Sequence, residues 1–481
     1  MDLKIYDTSR RAKVIFEPRE AGKVGLYACG PTVYDRIHIG NARPLVVFDV
    51  LSRLLRTLYP TVTYVRNITD IDDKINARAK ERGIDIRELT ETTVARFRED
   101  CEALNCLPPD HEPRATETIP EMIALIERLI DQGHAYALDD GHVLFDVPSW
   151  DDYGKFANKD RDEQISGARV EVASYKRDPA DFVLWKPSDG DTPGWPNPWC
   201  DKGRPGWHIE CSAMSEKFLG PDFDIHAGGI DLVFPHHQNE IAQSCCAHAP
   251  TNRQDRFARY WMHNGYLMSE GEKMSKSLGN FYTVAELLEE FPGEVLRLVL
   301  LKTHYRSPLD FSKDKCREAK AELDRLYTLL RDTQSEPFVY ISDEDPDWQG
   351  LVAALSDDLN TAEALKHFFA SARQLSVAVH KSMKREAKAH IGERSIPEDR
   401  ARLLQLGNAL GLLEQDPQAW FKAGAPTDGP TEADIEVQIE ARKEAKASKD
   451  FAKADQIRDD LQAQGVILED KPGGITEWRR A

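Results

Sequence analysis

Apolar positions change their period several times along this chain, and the changes divide it. "KVGLYACG" at 23–30 is an apolar run stopped by glycine and reads as a buried strand. "ARPLVVFDVLSRLLRTLY" at 42–59 carries its apolar residues at helical spacing, and the β-branched "TVTYVRNITD" at 61–70 returns to strand. Strand, glycine turn, helix and strand make a βαβ unit, so the expected fold is α/β with a doubly wound, Rossmann-type parallel sheet. Helical signals run to about residue 107, where "CLPPDHEPRATETI" (106–119) is a proline-rich break. Residues 120–205 mix a helix ("EMIALIERLIDQG"), a short strand ("HVLFDV") and a loop dense in Trp, Pro and Gly, which reads as an insertion splitting the sheet domain. Sheet-like signals resume with "FDIHAGGIDLVF" at 223–234. From 311 to 420 the pattern is almost purely helical, "KAGAPTDGPTEAD" (422–434) reads as a linker, and a small mixed tail ends in "VILEDKPGGITEWRR". The expected segments are 1–118 and 205–250 for the two halves of the sheet domain, 119–204 for the insertion, 251–310 for a loop-bearing region, 311–421 for a helical bundle and 422–481 for a small C-terminal domain.

Composition narrows the class. With 481 residues, 41% hydrophobic and 30% charged, the chain is expected to be soluble and globular. Its first twenty residues are charged throughout, which predicts no secretory leader. The run "VLRLVLL" (295–301) is far short of the ~20 residues a membrane span needs, so a cytoplasmic protein with no membrane partner is expected. Eight irregularly spaced cysteines suggest thiols, ligands or nucleophiles before a disulfide framework. The net charge of −19 opposes nucleic-acid binding through a global positive field but leaves room for a local basic patch.

Three constellations carry candidate chemistry. "CGPTVYDRIHIGNARP" (29–44) lies where the first strand gives way to a helix, and a helix start offers unpaired N–H groups that favour phosphate. Gly40 would let a nucleotide approach the backbone, and His38 could donate to a phosphate oxygen. This is not a Walker loop, since G-x-x-x-x-G-K-[ST] is absent from it. Cys29, Cys211 and "FPHHQNE" then offer a metal set. His236 and Glu240 at i and i+4 share a helical face, as do His237 and Glu240 at i and i+3, so spacing does not choose the histidine. Two thiolates, an imidazole and a carboxylate suit Zn²⁺ better than Mg²⁺ or Ca²⁺. Cys101, Cys106, Cys245, Cys246 and Cys316 read as buried or helix-surface thiols. Last, "GEKMSKSLGN" (271–280) sets Lys273 and Lys276 on a glycine-bounded loop that could close over a polyphosphate. Opposite the helix start, it would clamp ATP.

Together these pieces resemble a known family. "HIGN" at 38–41 resembles the HIGH motif and "KMSKS" at 273–277 matches its partner motif, in the order found in class I aminoacyl-tRNA synthetases. "CGPTVYD", "NITDIDDK" (67–74), "GRPGWHIECSAM" (203–214), "HAGGIDLVFPHHQNE" (226–240), "SDDLNTAEAL" (356–365) and "KDFAKADQIRDDL" (449–461) are similar to blocks of the cysteinyl-tRNA synthetase family, over nearly the whole chain. The resemblance implies one Zn²⁺ per chain, held by Cys29, Cys211, His236 and Glu240, with His237 a neighbour. It implies formation of cysteinyl-adenylate and pyrophosphate from L-cysteine and ATP (with Mg²⁺ on the ATP), then transfer of cysteine to tRNA-Cys, by a monomer. ATP would be handled by His38, Gly40, Asn41, Asp231, Lys273 and Lys276, with His38 and the two lysines catalytic. Asp231 would contact either ribose or the substrate amino group, and Thr69 and Trp207 would line the amino-acid pocket. Asn41 departs from the motif, which usually has a second histidine there, so tuned activation is expected. The resemblance also makes 251–310 a region contacting the tRNA stem, 311–421 a tRNA-binding bundle and 422–481 an anticodon reader, with basic residues such as Arg442, Lys446 and Arg458 facing RNA and Trp478 stacking on bases. The alternative is the zinc-dependent cysteine ligase of mycothiol biosynthesis, which resembles the same core but needs no anticodon reader.

Overall fold

The structure is a computed structural model that describes residues 2–167, 175–190, 192–248, 257–274, 280–383, 395–422, 429–470 and 476–480. No helix among the described residues is long and apolar enough to cross a membrane. The chain forms two compact units, residues 1–284, 300–312 and 349–367 in one and 285–299, 313–348 and 368–481 in the other.

The first unit opens with an antiparallel hairpin, β1 (Lys4–Asp7) and β2 (Ala12–Ile15). β3 (Lys23–Ala28), α1 (Ile39–Leu58) and β4 (Thr61–Arg66) form the βαβ unit, with β3 and β4 parallel. The periodicity placed the start of α1 at residue 42; it lies at Ile39 because His38 and Asn41 build a capping box whose polar residues hide the pattern. β4 stops at Arg66, short of residue 70, because the next residues leave the sheet for the loop after β3. Asn67 Oδ1 accepts from the Gly30 N–H at 2.8 Å, and the Thr69 main chain bonds Pro31 and Val33.

After α2 (Asp73–Arg82), α3 (Ile86–Ala103) and α4 (Ile119–Asp131) comes a separate antiparallel sheet. It contains β5 (Ala135–Ala137), β6 (Val143–Phe145), β7 (Phe182–Pro187) and β8 (Gly203–Pro205) in that order, with α5 (Arg161–Gly167) between β6 and β7. Then α6 (Trp207–Leu219) leads to β9 (Asp222–Gly229), and α7 (Gln238–Ala247) to β10 (Phe257–Asn264). The strand signal extending to 234 ends at Gly229, where the chain coils into the turn Ile230–Leu232. The main sheet runs β10-β9-β3-β4, all parallel. Winding proceeds outward from β3 to β4 on one side and from β9 to β10 on the other, so a crevice opens at the carboxyl ends of β3 and β9, where open α/β sheets bind ligands. A three-stranded sheet follows, from β11 (Leu267–Ser269), β12 (Glu272–Lys273) and, beyond α8 (Val284–Leu288) and α9 (Gly293–Leu301), β13 (Leu309–Phe311).

The rest of the chain is largely helical, as its pattern predicts: α10 (Lys313–Asp332), α11 (Pro346–Ser356), α12 (Thr361–Met383), α13 (Ile396–Leu410) and α14 (Pro417–Lys422). In the second unit the buried Glu294 carboxylate accepts from the Tyr327 hydroxyl and from the Leu413 and Glu414 N–H groups. The tail is α15 (Glu432–Ala447), α16 (Phe451–Ala463) and the hairpin of β14 (Val466–Asp470) and β15 (Thr476–Arg480). Two expectations for it need correction. Trp478 is 5% exposed and packs with Ile435, Leu461 and Val466, its indole N–H donating to Glu436, so it is core and not a platform for bases. Arg442 is buried and bidentate to Asp470, which also pairs with Lys446 and Arg458, so these cations are occupied within the tail.

Candidate active site

The carboxyl edge of the parallel sheet gathers the predicted residues. Cys29 stands one residue beyond β3, its N–H donating to Ala227 of β9 at 3.0 Å. Cys211 lies on α6, and Glu240 on α7 just after the turn that carries His236 and His237. The ligand atoms of Cys29, Cys211, His236 and Glu240 all fall within 4.8 Å of one another. The two sulfurs are 3.8 Å apart, Cys29 Sγ lies 3.7 Å from Glu240 Oε1, and His236 Nε2 lies 3.1 Å from the same oxygen. Tetrahedral metal–sulfur bonds of about 2.3 Å would separate two sulfurs by about 3.8 Å, so the donor set fits zinc in chemistry and spacing. A second set, Cys29, His226, His237 and Glu240, meets the same 4.8 Å limit.

Electrostatics test whether the donor set suits a cation. Burial, then the neighbouring Cys211 and Glu240, push the Cys29 thiol well above its ordinary pKa. Burial pushes Glu240 up as well. Besides Cys29, the Glu240 carboxyl faces the imidazoles of His226, His236 and His237. Burial drives His226 down to about 3 and His237 well below its usual value, so these two rings are neutral and bring no charge. The Cys29 thiol and the Glu240 carboxyl in such surroundings ionise together only if a cation compensates them.

At the other end of the crevice His38 caps α1. Its Nδ1 accepts from the Gly40 N–H at 3.1 Å, while Asn41 Oδ1 accepts from the His38 N–H at 3.2 Å. Burial lowers the His38 pKa against the opposing pull of Asp231, so the ring is neutral near pH 7. With Nδ1 accepting, the proton sits on Nε2. Asn41 and Asp231 are exposed. A Cβ on Gly40 would come within 2.8 Å of Met274 Cε, so Met274 packs directly against the glycine at the start of α1. The two motifs also meet through the main chain, where the Ile39 N–H donates to Tyr282 O and the Val284 N–H to Ile37 O. Lys273 closes β12; Lys276 lies outside the described residues.

Between the ends, the buried Thr69 hydroxyl donates to Glu210 Oε2 at 3.1 Å. Trp207, the first residue of α6, stacks on His236 with centroids 4.2 Å apart. Sequence reasoning missed the imidazoles behind this surface. His226 Nε2 lies 2.8 Å from Glu240 Oε2, His208 Nδ1 lies 3.0 Å from His236 Nδ1, and His263 Nε2 lies 2.7 Å from His237 Nδ1. Lone histidines in "DIHAGG" and "YWMHN" gave no spacing signal; only the pairing of β9 with β10 joins them.

Comparison with known proteins supports this description. Residues 15–321 match the tRNA synthetases class I (C) catalytic domain and residues 351–414 the DALR domain. Mycobacterium tuberculosis methionyl-tRNA synthetase shares the fold with a TM-score of 0.56 at 16% identity, over 81% of this chain and 89% of that one. An Agrobacterium radiobacter LeuRS does so with a TM-score of 0.58 at 12% identity, over 84% and 86%. Fold and catalytic domain are thus those of a class I aminoacyl-tRNA synthetase. Residues 429–479 match the cysteinyl-tRNA ligase anticodon binding domain. Cysteine–tRNA ligases of Paramagnetospirillum magneticum and Rhodospirillum rubrum are 58% and 55% identical to the chain, with all of each chain covered. The chain belongs to the cysteine–tRNA ligase family. The amino-sugar ligase alternative gains no support from these matches.

Proposed function

We infer that the protein joins L-cysteine to tRNA-Cys and selects its substrate through a zinc held by Cys29, Cys211, His236 and Glu240. The observation that carries this is the convergence of those four ligand atoms at the switch point of the sheet. His236 is preferred to the other set for a geometric reason. Glu240 Oε2 is taken by His226, which leaves Oε1 for the centre where Cys29 and His236 meet, with His237 Nε2 farther away at 3.9 Å. Bound zinc supplies a thiophilic Lewis acid that lowers the pKa of a thiol and so favours cysteine over serine. A pocket relying on size and polarity alone separates such near-isosteres weakly.

The chain's own residues do the rest. The cysteine carboxylate attacks the α-phosphorus of ATP, the bond to the bridging oxygen breaks, and pyrophosphate leaves. Neutral His38 offers its Nε2–H, and α1 the N–H groups of its first turn, to the charge that develops on phosphate. Lys273 and Lys276 compensate the departing pyrophosphate from the facing loop. Asn41 keeps its amide N–H₂ for phosphate or ribose while its oxygen closes the helix cap. Asp231 takes the ribose or the substrate ammonium, Thr69 lines the amino-acid pocket, and Trp207 covers it. A hydroxyl of the terminal adenosine of tRNA then attacks the adenylate carbonyl, and AMP leaves. Residues 1–118 and 205–250 hold this chemistry together with the lysine loop of 251–310, which also contacts the tRNA stem; 119–204 is the insertion, 311–421 binds tRNA and 422–481 reads the anticodon, in a cytoplasmic monomer that uses Mg²⁺ with its ATP.

The test has three parts. Purified protein should hold about one zinc per chain and catalyse cysteine-dependent ATP–pyrophosphate exchange. Deleting residues 425–481 should leave exchange nearly intact while charging of tRNA-Cys falls steeply. Exchange without bound metal, or normal charging by the truncated protein, would overturn the corresponding assignment.

A further inference from the structure

Arg43 lies two residues past Asn41 on α1, and its side chain is fully buried. Its guanidinium donates four hydrogen bonds, each to a main-chain carbonyl. Nη1 donates to Gly265 and Tyr266, both at 2.8 Å, and Nη2 donates to His304 at 3.1 Å and Ser307 at 2.6 Å. Burial pulls its pKa down to about 10, which leaves it cationic near neutrality.

The four carbonyls are not a random set. Gly265 and Tyr266 form the joint through which β10 passes into β11, and β11 pairs with β12, where Lys273 sits. His304 and Ser307 lie just before β13, the other neighbour of β11. The joint is close-packed, since a Cβ on Gly265 would stand 2.5 Å from Arg306 O, and the Gly265 N–H donates to Tyr305 O at 2.8 Å. One guanidinium therefore ties the roots of β11 and β13 to the helix whose first residues cap phosphate. Because the acceptors are backbone atoms, Arg43 reads where the main chain lies and is indifferent to side chains there.

We propose that Arg43 is a positioning residue for adenylate formation, setting the distance between the α1 start and the β11–β12 hairpin that ends at Lys273, without touching substrate. The proposal rests on the role assigned above to Lys276. A planar fork with five donors reaches four carbonyls at once, whereas an ammonium has three donors and no fixed plane. Arg43→Lys keeps the charge and loses the geometry.

The experiment is a double-mutant cycle of Arg43→Lys and Lys276→Ala, read by pyrophosphate exchange, cysteine KM and bound zinc. Arg43→Lys should lower kcat by about 100-fold, the cost of displacing a catalytic group by about 1 Å, with cysteine KM and zinc content unchanged. Combined with Lys276→Ala it should cost less than about threefold more, because the group it positions is gone. Multiplying losses, or a loss of zinc or cysteine affinity, would overturn the proposal. A Lys276→Ala protein with undiminished exchange would instead overturn the reading of the loop, and this proposal with it. Should Arg43→Lys fail to fold, Gly265→Ala disturbs the same joint from the other side and must show the same lack of additivity.

Discussion

At the end of the crevice we assign to the amino acid, Cys211, His236 and Glu240 are buried, and His226, His208 and His263 brace them or their neighbour His237 from behind. At the proposed nucleotide end Asn41 and Asp231 are exposed, and the donors are main-chain N–H groups and one imidazole, with Lys273 closing β12. The difference follows from what each end must do. Telling sulfur from oxygen requires a fixed donor set whose geometry survives substrate binding, and rigidity comes from burial and from hydrogen bonds behind the ligands. Handling polyphosphate requires charge that arrives with the transition state and leaves with the product, which a closed, buried site could not supply.

Four substitutions test this contrast. Cys211→Ser should have the largest effect, reducing both zinc content and exchange by at least about a thousandfold, beyond the ten- to hundredfold expected for losing a group behind the ligands. Metal analysis and exchange should fall together. Lys276→Ala comes next, with kcat for exchange lowered by about 10²–10³-fold and zinc content untouched. If zinc also fell, the two ends would not be separable. His226→Ala should weaken zinc about 10–100-fold, seen as chelator-dependent loss of exchange that added zinc restores. Asn41→Ala should be the mildest, costing α1 about 1 kcal/mol by loss of its half of the capping box, with a few-fold change in the KM for ATP. A change in cysteine KM there would blur the boundary between the ends.

Much of the fold was legible because its signals are local. The βαβ unit and the helical region after 311 follow from period and turn residues, while the tail read only as mixed, with no hairpin foreseen. The start of α1 escaped, since a capping box made of His38 and Asn41 is polar and does not repeat. The end of the sheet signal near Gly229 escaped because "IDLVF" stays apolar while leaving the strand. In the site, the motif residues could be read singly, but spacing left His236 and His237 tied. The tie is a property of any helix with ligands at i+3 and i+4, and our preference for His236 rests on contacts beyond spacing: His226 on β9 takes Oε2 of Glu240, while Oε1 lies 3.1 Å from His236 and 3.9 Å from His237. Trp478 and Arg442 teach the converse. The family resemblance marked them as RNA-facing, yet a tail this small needs a Trp for its core, and Asp470 needs Arg442 to hold it well below the usual carboxylate range.

The central claim is that the thiol of cysteine binds a metal held by two cysteines, and sulfur coordination tests it most directly. Zinc-edge X-ray absorption of the purified protein should report about two sulfur neighbours at about 2.3 Å, rising to about three on adding L-cysteine and staying at two with L-serine. A sulfur count that stays the same with cysteine would contradict the account, whatever the activity of the protein.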